Sequence, residues 1–407
     1  MVHIPIAMAT DNNVIPLVVS LISLVKSAEE TTFYDIYILI DDSFTKESEM
    51  AVERSLFAFE KRCKVSFRKV GHYFEDAFII ISHITRPTYY RLMLPALLNE
   101  DKCIYLDTDT IILSDLQALF DTPLDDYYIA GVWHPGIIFY RWEETVCRNA
   151  RIPDASQYVN AGVLIMNLAQ MRRDKVMERF MDAIPLCMPS QDQDIINHVC
   201  YGKIALLPLK YNVLTKCADE SIENYKGSYT TTELLEAWNR PCIIHYANAD
   251  KPWNSSKCVF MEHWWKFWKN CSIDETDIPV FFQELVSDVI YSSSGGHMFR
   301  KKLPKIFDIK FKRNYVIYGA GKRARDVISY LKQMEITPMY ILVSDREGNP
   351  LEIEGIKVQE IADVYGMLCD KSIIVAVREE LQKEIIKNLR QYDFFEILPI
   401  SNDWRGN

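Results

Sequence analysis

Residues 103–109 read CIYLDTD, a short apolar run followed by two carboxylates that are one residue apart. The run predicts a buried strand, and the end of a strand can aim both Asp107 and Asp109 at one hard cation. Mg²⁺ and Mn²⁺ prefer such oxygen ligands and can bridge two phosphates, and a diphosphate leaving group needs that neutralisation. The pattern therefore indicates a metal site at a strand end, with solvated loop carboxylates as the commoner alternative.

The chain on either side of this stretch alternates strands and helices over residues 1–270. Strands are predicted at residues 4–9, 35–40 and 64–70, and helices at 14–26 and 45–62. Strands that alternate with helices form βαβ units and a mostly parallel sheet. The predicted fold class is therefore α/β. Ligands of such open sheets bind beyond the carboxyl ends of the strands, so the polar residues that end each strand are candidate site residues.

A second apolar run also ends in polar groups. Residues 243–253 read IIHYANADKPW. His245 is a candidate metal ligand through a neutral imidazole nitrogen, and Lys251 is a candidate phosphate contact because it carries a compact positive charge. The competing interpretation gives the histidine a structural hydrogen bond and leaves the lysine solvated.

Two more stretches carry polar groups at the ends of predicted elements. Residues 158–167 read YVNAGVLIMN, an apolar strand that opens with an amide and Gly162, and glycine permits the close approach of a ligand to the backbone. Residues 191–197 read QDQDIIN and are predicted to begin a helix. Asp192 is either a site residue or simply the helix N-cap, which is the commoner use of aspartate at such a position.

Together these elements resemble glycosyltransferase family 8, the retaining enzymes that include the bacterial lipopolysaccharide galactosyl- and glucosyltransferases and glycogenin. The resemblance covers about residues 1–270. It rests on six motifs in the family's order: ATDNN at 9–13, TYYRL at 88–92, DTD at 107–109, NAG at 160–162, DQD at 192–194, and HY at 245–246 with KPW at 251–253. Two positions depart from the family: Asn248 replaces a usual glycine, and Val14 replaces a frequent aromatic residue.

The resemblance implies a GT-A (nucleotide-diphospho-sugar transferase) fold, a UDP-sugar donor and a bound Mn²⁺ or Mg²⁺. The implied metal ligands are Asp107, Asp109 and His245. The implied donor-binding residues, with the uridine pocket at 9–13 and a phosphate contact at 251, are Ala9, Thr10, Asp11, Asn13, Arg91, Asp107, Thr108, Asp109 and Lys251. The implied catalytic residues are Asn160 and Gln193, which face the reacting carbon, and Asp192, which with Arg91 holds sugar hydroxyls.

The expected function is the retaining transfer of a hexose, glucose or galactose, from a UDP-sugar to a saccharide acceptor in bacterial cell-surface glycan biosynthesis. A lipid-linked acceptor is one alternative. Gln193 is an amide and a poor nucleophile, so attack on the face that the leaving group departs from is favoured over double displacement. The competing hypothesis is a non-catalytic or redox sugar-nucleotide-binding protein that acts through its C-terminal part.

The predicted domains are a catalytic domain at 1–271, a linker with a basic and aromatic segment at 272–313, and a small Rossmann-like α/β domain at 314–407. Residues 319–324 read GAGKRA, which fits G-x-G-x-x-A between a predicted strand and helix, and Asp345 ends the next predicted strand. A downstream Tyr-x-x-x-Lys is absent from the sequence. NAD(P) binding at this unit is therefore not favoured.

Composition restricts the partners. Net charge is −10, from 46 Lys and Arg against 56 Asp and Glu, which argues against nucleic-acid binding. No apolar run reaches the ~18–20 residues of a membrane span, and the polar start predicts no secretory signal. The ten scattered cysteines are predicted to be reduced. A cytoplasmic protein is expected, and its oligomeric state stays open.

Peripheral contact with the inner face of the plasma membrane is one interpretation of two stretches. Residues 259–270 contain Trp264, Trp265, Phe267 and Trp268, and residues 300–313 hold seven Lys or Arg against one Asp. Such aromatic and basic segments can lie on an anionic membrane surface. The competing interpretation has the tryptophans pack the last helix onto the catalytic domain and leaves the basic run as a solvated connector.

Overall fold

The computed structural model describes most of the chain. The described residues are 1–75, 77–80, 85–218, 225, 229–255, 258–268, 271, 315–333, 337–364, 366, 368, 371–392, 394 and 396–399. The chain divides into two compact units, Met1–Lys251 with Cys258–Ile273, and Pro252–Lys257 with Asp274–Asn407. The linker predicted at 272–313 lies outside the described residues.

The described strands of the first unit form two sheets. They are β1 (Val2–Ala9), β2 (Thr32–Ile40), β3 (Cys63–Lys69), β4 (Cys103–Leu106), β5 (Thr110–Ile112), β6 (Ile129–Trp133), β7 (Val159–Met166), β8 (Ile204–Leu207), β9 (Val213–Leu214) and β10 (Ile243–His245). The larger sheet has the order β3-β2-β1-β4-β7-β6-β8, and the smaller one has the order β5-β10-β9. In the larger sheet only β7 runs antiparallel to its neighbours. The predicted α/β class with a mostly parallel sheet is confirmed.

The α-helices of the first unit connect these strands. They are α1 (Val14–Lys26), α2 (Lys46–Leu56), α3 (Leu94–Leu97), α4 (Gln117–Phe120), α5 (Gly136–Tyr140), α6 (Glu143–Ala150), α7 (Leu168–Arg173), α8 (Val176–Ala183), α9 (Asp192–Val199), α10 (Thr215–Ala218), α11 (Thr231–Asn239) and α12 (Met261–Trp268). Short 3₁₀ segments lie at Phe57–Phe59, Arg86–Met93, Ile184–Leu186 and Leu209–Tyr211.

The core explains why these elements form where they do. All residues of β4 and β7 are buried, so both strands read as near-continuous apolar runs, as expected for a sheet that is covered on both faces. α1 has the bounds predicted from its spacing, and its residues 15–25 are all buried. Cys103 is a fully buried free thiol in β4, which agrees with the expectation of a reduced cysteine there.

The helix predicted at 45–62 is shorter than expected. Thr45 caps it by accepting from the backbone N–H of Ser48, and α2 then ends at Leu56. A 3₁₀ turn follows at Phe57–Phe59, and none of its residues is buried. Helix stability in proteins depends mainly on packing an apolar face, so the charged sequence beyond Leu56 has nothing to hold a further α-helical turn.

Strand register aligns the candidate site at one sheet edge. Ala7 of β1 lies opposite Tyr105 of β4, and the two strands are parallel. Ala9 and Asp107 are each two residues further along, so both lie where these strands end. The carboxyl edge of the sheet therefore carries the expected nucleotide pocket and the acidic pair side by side, as in other open α/β sheets.

The tryptophans of α12 are core residues. Trp264, Trp265 and Trp268 are at most 1% exposed, and α12 packs against α1. The interpretation in which they pack the last helix onto this unit is therefore confirmed, and they offer no surface to a membrane. The basic stretch at 300–313 lies outside the described residues. None of the described helices is both long and apolar enough to cross a bilayer.

The second unit has its own sheet and core. Its described elements are β11 (Val316–Tyr318), α13 (Lys322–Gln333), β12 (Tyr340–Val343), β13 (Glu352–Ile353), β14 (Ile356–Glu360), α14 (Ile361–Val364), β15 (Ser372–Val375), α15 (Glu379–Leu389) and β16 (Glu396–Pro399). The strand order is β13-β14-β12-β11-β15-β16, with β13 antiparallel to β14 and the other neighbours parallel.

The glycine-rich turn of this unit lies between β11 and α13, as predicted. Gly319 has φ +109°, and a Cβ there would meet Val377 at 2.8 Å. Asp345 is exposed, and its carboxylate accepts from the backbone N–H of Glu347 at 2.8 Å. That carboxylate therefore supports a local turn. Nucleotide binding by this unit stays a prediction.

Candidate active site and metal centre

Strand pairing brings the three expected metal ligands together. β4 ends at Leu106, and β5 begins at Thr110 directly after the acidic turn. β10 pairs antiparallel with β5, so that His245 lies opposite Thr110. The backbone N–H of Tyr246 donates to the carbonyl of Asp109 at 3.0 Å. The small sheet thus carries a histidine from far along the sequence to the turn that holds both aspartates.

The geometry of these three side chains fits a divalent cation. Nε2 of His245 lies 3.2 Å from Oδ1 of Asp109 and 3.7 Å from Oδ2 of Asp107, and one ligand atom of each residue lies within 4.8 Å of the others. Adjacent ligands on a cation with bonds of ~2.1 Å are about 3 Å apart. Oδ1 of Asp109 is buried and accepts no hydrogen bond from a described residue. Buried polar atoms rarely lack a partner, and a cation would supply one.

The tautomer of His245 also suits a metal ligand. Its Nδ1 donates to Oδ1 of Asn212 at 2.9 Å, and both residues are buried. With the proton on Nδ1, the Nε2 lone pair faces the two aspartates. Metal-binding histidines generally donate their second ring N–H to an oxygen in this way. Oδ1 of Asp109 is buried rather than solvated, and His245 makes a structural hydrogen bond to Asn212 while its Nε2 faces the aspartates.

Gly162 makes room for the cluster. A Cβ at this position would lie 2.1 Å from Cε1 of His245 and 2.7 Å from Oδ2 of Asp107. The Gly162 carbonyl accepts from the backbone N–H of Asp107 at 2.8 Å, which fixes β7 against the end of β4. The sequence suggested that glycine admits a ligand close to the backbone. The space is in fact filled by two side chains of the cluster.

Arg91 connects Asp107 of the cluster to Asp192. Its guanidinium lies 2.8 Å from Oδ1 of Asp107 and 3.1 Å from Oδ2 of Asp192, donates to the carbonyls of Thr88 and Ala161, and stacks over the Tyr105 ring at 4.3 Å. Arg91 is 3% exposed. A planar fork with five donors suits such multiple pairing. The direct contact with sugar hydroxyls expected for Arg91 stays a prediction.

Asp192 does not cap the helix that it begins. It is the first residue of α9, Gln191 is the N-cap, and no side chain caps the helix. The Asp192 carboxylate instead accepts from the Thr88 hydroxyl and pairs with Arg91. The N-cap interpretation of Asp192 is therefore wrong.

The carboxyl groups of Asp109 and Asp192 have opposite pKa shifts. Burial alone would raise the pKa of Asp109, but the positive charge beside it, above all the Lys251 ammonium, outweighs burial and holds that pKa well below its usual range. Burial raises the pKa of Asp192 to about 6, against the opposing effects of Arg91 and the Thr88 hydroxyl. The site therefore combines a firmly ionised carboxylate with one that titrates near neutrality.

Gln193 and Asn160 are held in fixed orientations. Oε1 of Gln193 accepts from Nδ2 of Asn160 at 2.9 Å and from the backbone N–H of Ala161 at 3.2 Å. Nε2 of Gln193 donates to the hydroxyl of Tyr158 at 3.0 Å. Both ends of the Gln193 amide are thus engaged by protein groups, and the amide orientation follows from its partners.

The residues expected to form the nucleotide pocket lie where β1 ends, and their role stays a prediction. Ala9 and Thr10 are buried, and the Thr10 N–H donates to the Leu39 carbonyl at 3.1 Å. Oδ1 of Asp11 accepts from the backbone N–H of Asn13 at 3.0 Å. Nζ of Lys251 donates to Oδ2 of Asp109 at 2.6 Å, so the lysine is tied to the metal cluster rather than solvated.

Sequence reasoning missed three residues of this site. Asn212 orients His245, the Thr88 hydroxyl binds Asp192, and the hydroxyl of Tyr105 donates to Oδ1 of Asp107 at 2.9 Å. Thr88 and Tyr105 lie inside quoted motifs, so their positions were a usable signal. Asn212 follows a 3₁₀ segment and belongs to no motif, and its role depends entirely on the pairing of β9 with β10.

An open α/β sheet whose carboxyl edge presents two aspartates and a histidine around one cation-sized position is the architecture of GT-A glycosyltransferases. The sequence profile of glycosyl transferase family 8 matches residues 5–257. The chain belongs to this family, as the resemblance in its motifs predicted, and it is a glycosyltransferase.

Relatives and solved structures agree with this assignment. General stress protein A of Bacillus subtilis is 24% identical over 263 residues, which are 62% of this chain and 87% of that protein. Glycosyltransferase GlyB of Streptococcus pneumoniae is 23% identical over 61% of this chain and 59% of its own length. The galactosyltransferase LgtC, solved with donor and acceptor sugar analogs, has a TM-score of 0.58 at 23% identity and covers 68% of this chain and 100% of LgtC. The bifunctional glycosyltransferase WbbM has the same TM-score at 24% identity, over 69% of this chain and 51% of WbbM.

Proposed function

We propose that the chain is a retaining, Mn²⁺-dependent hexosyltransferase that moves glucose or galactose from a UDP-sugar to a saccharide acceptor. The acceptor belongs to a bacterial cell-surface glycan and reaches the protein in the cytoplasm, at the inner face of the plasma membrane if it is lipid-linked. The catalytic domain is residues 1–271, followed by a linker at 272–313 and a nucleotide-binding-type module at 314–407. Redox chemistry at that module is not part of the proposal.

The convergence of Asp107, Asp109 and His245 carries this proposal. Two carboxylates and a neutral imidazole face one position, and a buried oxygen of Asp109 has no hydrogen bond from a described residue. Oxygen-rich donor sets suit Mg²⁺ and Mn²⁺, and the imidazole favours Mn²⁺ of the two. The bound cation would neutralise the diphosphate of the leaving group.

Donor binding follows from the groups beside the metal cluster. Ala9, Thr10, Asp11 and Asn13 lie where β1 ends and form the proposed uridine pocket, in which Asp11 accepts from the uracil N–H. Thr108 lies between the two aspartates and contacts the donor there. Nζ of Lys251 is 2.6 Å from Asp109, within reach of a phosphate oxygen at the same position. A fixed positive charge there stabilises the leaving group as negative charge develops.

The sugar side of the site begins at Asp192. Its carboxylate, joined to Asp107 through Arg91, accepts from donor sugar hydroxyls in this proposal. Because Arg91 bridges the two carboxylates, the distance between the diphosphate and the sugar is fixed before the substrate arrives. Pre-set geometry of this kind lowers the barrier by avoiding reorganisation during the reaction.

Retention of configuration is assigned to same-face attack. Gln193, which faces the reacting carbon with Asn160, is a neutral amide with both ends hydrogen-bonded. The Asp194 carboxylate is 1% exposed and accepts from Tyr158 and from the backbone N–H of Ser190. Neither offers a nucleophile for a covalent glycosyl intermediate. The acceptor hydroxyl therefore attacks from the side of the departing UDP, and a phosphate oxygen of UDP takes its proton.

Donor hydrolysis tests the proposal without knowledge of the acceptor. UDP release from a panel that includes UDP-glucose and UDP-galactose would be measured with Mn²⁺ and with EDTA. We expect release from one donor that EDTA abolishes and that Asp109→Ala lowers at least about 100-fold. Asp174→Asn is the matched control, since Asp174 is a surface carboxylate with its own hydrogen bonds.

The outcomes separate the classes of function. Absence of release from every donor, with no stabilisation of the native state by UDP and Mn²⁺, would reject the transferase proposal. Stabilisation by NAD alone would instead support the alternative that acts through the C-terminal unit. A covalent glycosyl adduct trapped on Asp192 or Asp194 would reject same-face attack and leave the transferase class intact.

A further inference from the structure

A continuous series of side-chain hydrogen bonds runs from His245, in the cluster with Asp107 and Asp109, through the amide of Gln193 to the carboxylate of Asp194. Each link is a side-chain group that donates to the next, at distances of 2.9, 2.8, 2.9, 3.0 and 2.6 Å. The chain passes in order through His245, Asn212, Asn160, Gln193, Tyr158 and Asp194.

The direction of these hydrogen bonds is set at the Asp194 end. Asp194 can only accept while it is ionised, so the Tyr158 hydroxyl must donate to it and must accept from Gln193. This orientation passes through each amide in turn and leaves Oδ1 of Asn212 facing His245. Hydrogen bonds that all point one way strengthen one another in a dry environment. The Asp194 carboxylate, at the far end of this series of hydrogen bonds, therefore fixes the proton of His245 at Nδ1.

Asn212 links His245 to the amides of Asn160 and Gln193 in this series of hydrogen bonds. Its Oδ1 accepts from Nδ1 of His245, and its Nδ2 donates to Oδ1 of Asn160. It is 0% exposed, so water cannot replace either bond. Asn212 directly precedes β9, which pairs in parallel with β10 so that Val213 lies opposite Ile244. The backbone itself therefore holds this amide beside His245.

We propose that Asn212 is a positioning residue that sets the metal ligand His245 and the reacting-carbon amides Asn160 and Gln193 at once. The inference rests on the proposed function, because it assumes that the cluster binds Mn²⁺ and that Gln193 faces the reacting carbon. Asn212 touches neither metal nor donor. It acts by aiming Nε2 of His245 at the cation and by turning Oδ1 of Asn160 away from Gln193.

Two substitutions separate the two bonds of Asn212. Asn212→Ala removes both, so His245 loses its orienting acceptor and Oδ1 of Asn160 keeps only the backbone N–H of Gly162 as a donor. Asn212→Asp keeps an oxygen acceptor for Nδ1 of His245 but removes the N–H that Asn160 receives. The Asp variant should therefore spare the metal ligand and disturb only the amides near the reacting carbon.

A matched control tests the loss of a buried amide as such. Asn197 is 1% exposed and also makes three side-chain hydrogen bonds, to the backbone of Val159 and Gln193. It does not contact a metal ligand in the described structure. Asn197→Ala should lower thermal stability while leaving Mn²⁺ affinity within about threefold of wild type, which is below the usual effect of an orienting residue.

The experiment measures Mn²⁺ binding to the full chain without donor, by titration calorimetry, and then UDP release at saturating Mn²⁺. We expect Asn212→Ala to weaken Mn²⁺ binding about 10–100-fold. Asn212→Asp should keep Mn²⁺ affinity within about threefold of wild type and lower kcat about 100-fold with little change in donor KM, because only the reacting-carbon geometry is disturbed.

Each result has one meaning. Unchanged Mn²⁺ affinity in a folded Asn212→Ala variant, or unchanged kcat in Asn212→Asp, would overturn the positioning role while wild-type activity upholds the proposed function. Equal loss of Mn²⁺ affinity in the Ala and Asp variants would also overturn it. If Asn212→Ala does not fold, Asn212→Asp alone decides. A wild-type chain that neither binds Mn²⁺ nor releases UDP would reject the proposed function, and this inference with it.

Discussion

Replacement of Gly162 by alanine tests the metal centre most directly. The added Cβ would lie 2.1 Å from Cε1 of His245 and 2.7 Å from Oδ2 of Asp107. Carbon atoms in contact are normally ~3.5 Å apart, so the histidine ring must retreat by more than about 1 Å. The strand cannot move instead, because Gly162 is hydrogen-bonded to the backbone of Asp107 and to Oδ1 of Asn160.

The size of the effect follows from metal geometry. A site keeps its metal only while ligand distances stay within about ±0.2 Å of their preferred values. A shift of about 1 Å in one ligand exceeds that tolerance several times over. Displacement of orienting neighbours alone typically costs 10–100-fold in affinity, so Gly162→Ala should lower Mn²⁺ affinity by at least that factor. Overpacking should also lower the free energy of unfolding by about 1–3 kcal/mol.

Mn²⁺ titration calorimetry and urea unfolding measure the two effects separately. Ile165→Val is the matched control, since Ile165 is a fully buried residue of the same strand whose side chain packs in the core. That variant should lose about 0.5–1.5 kcal/mol of stability and keep its Mn²⁺ affinity. Wild-type Mn²⁺ affinity in a folded Gly162→Ala variant would refute the reasoning, because the cluster could not then occupy the position that gives these distances.

Three further substitutions test other parts of the first unit. Arg91→Leu should lower the free energy of unfolding by about 3–5 kcal/mol at pH 8, because it leaves Asp192 buried and unpaired. The loss in urea unfolding should shrink near pH 5 as that carboxyl, whose pKa is about 6, becomes protonated. Burial lowers the pKa of His134 from 6.5 to about 4. The neutral imidazole therefore contributes stability above pH 6.5, and this contribution is lost as the pH falls towards 4, by at most about 1.4 kcal/mol per pH unit. His134→Gln should therefore reduce the loss of unfolding free energy between pH 6.5 and pH 4. Thr230→Ala should cost about 1 kcal/mol without changing UDP release, because Thr230 and Glu233 form a capping box on α11. An unaltered pH dependence in His134→Gln, or lost UDP release in Thr230→Ala, would contradict these assignments.

The sequence predicted the parts of the site that strand ends deliver. Apolar runs mark β4, β7 and β10 because these strands are buried. β4 belongs to the larger sheet, whereas β10 lies in the smaller sheet, where its pairing with β5 brings His245 to the acidic turn. The resemblance to glycosyltransferase family 8 grouped Asp107, Asp109 and His245, whereas the residue patterns alone left solvated aspartates and a structural histidine as alternatives.

Residues whose role comes from long-range pairing were not predictable in this way. Asn212 precedes a two-residue strand, and only the alignment of β9 with β10 brings it to His245. The prediction of a helix at 45–62 was too long for a related reason. The helical periodicity of the charged residues continues beyond Leu56, but the buried face of the helix ends there. Periodicity reports what a helix can bury, and the tertiary structure decides what it does bury.

The irregularity in β7 explains how one short segment serves both halves of the site. Gly131 of β6 pairs with Leu164 of β7, and Trp133 pairs with Val159. Two steps along β6 thus match five along β7, so residues 160–163 leave the regular ladder. Bulges of this kind free backbone groups and re-aim side chains near active sites.

The backbone groups of Ala161 and Gly162 form hydrogen bonds with residues of the candidate site. The Ala161 N–H donates to Gln193, and the Ala161 carbonyl accepts from Arg91. The Gly162 N–H donates to Asn160, and the Gly162 carbonyl accepts from Asp107. In a regular ladder the Ala161 groups would pair with β6, and the Gln193 amide would lose its second donor, whereas the Gly162 carbonyl continues the pairing of β7 with β4. The bulge therefore sets the distance between the cluster of Asp107, Asp109 and His245 and the amides of Asn160 and Gln193, which explains why an amide, a small residue and a glycine follow one another at 160–162.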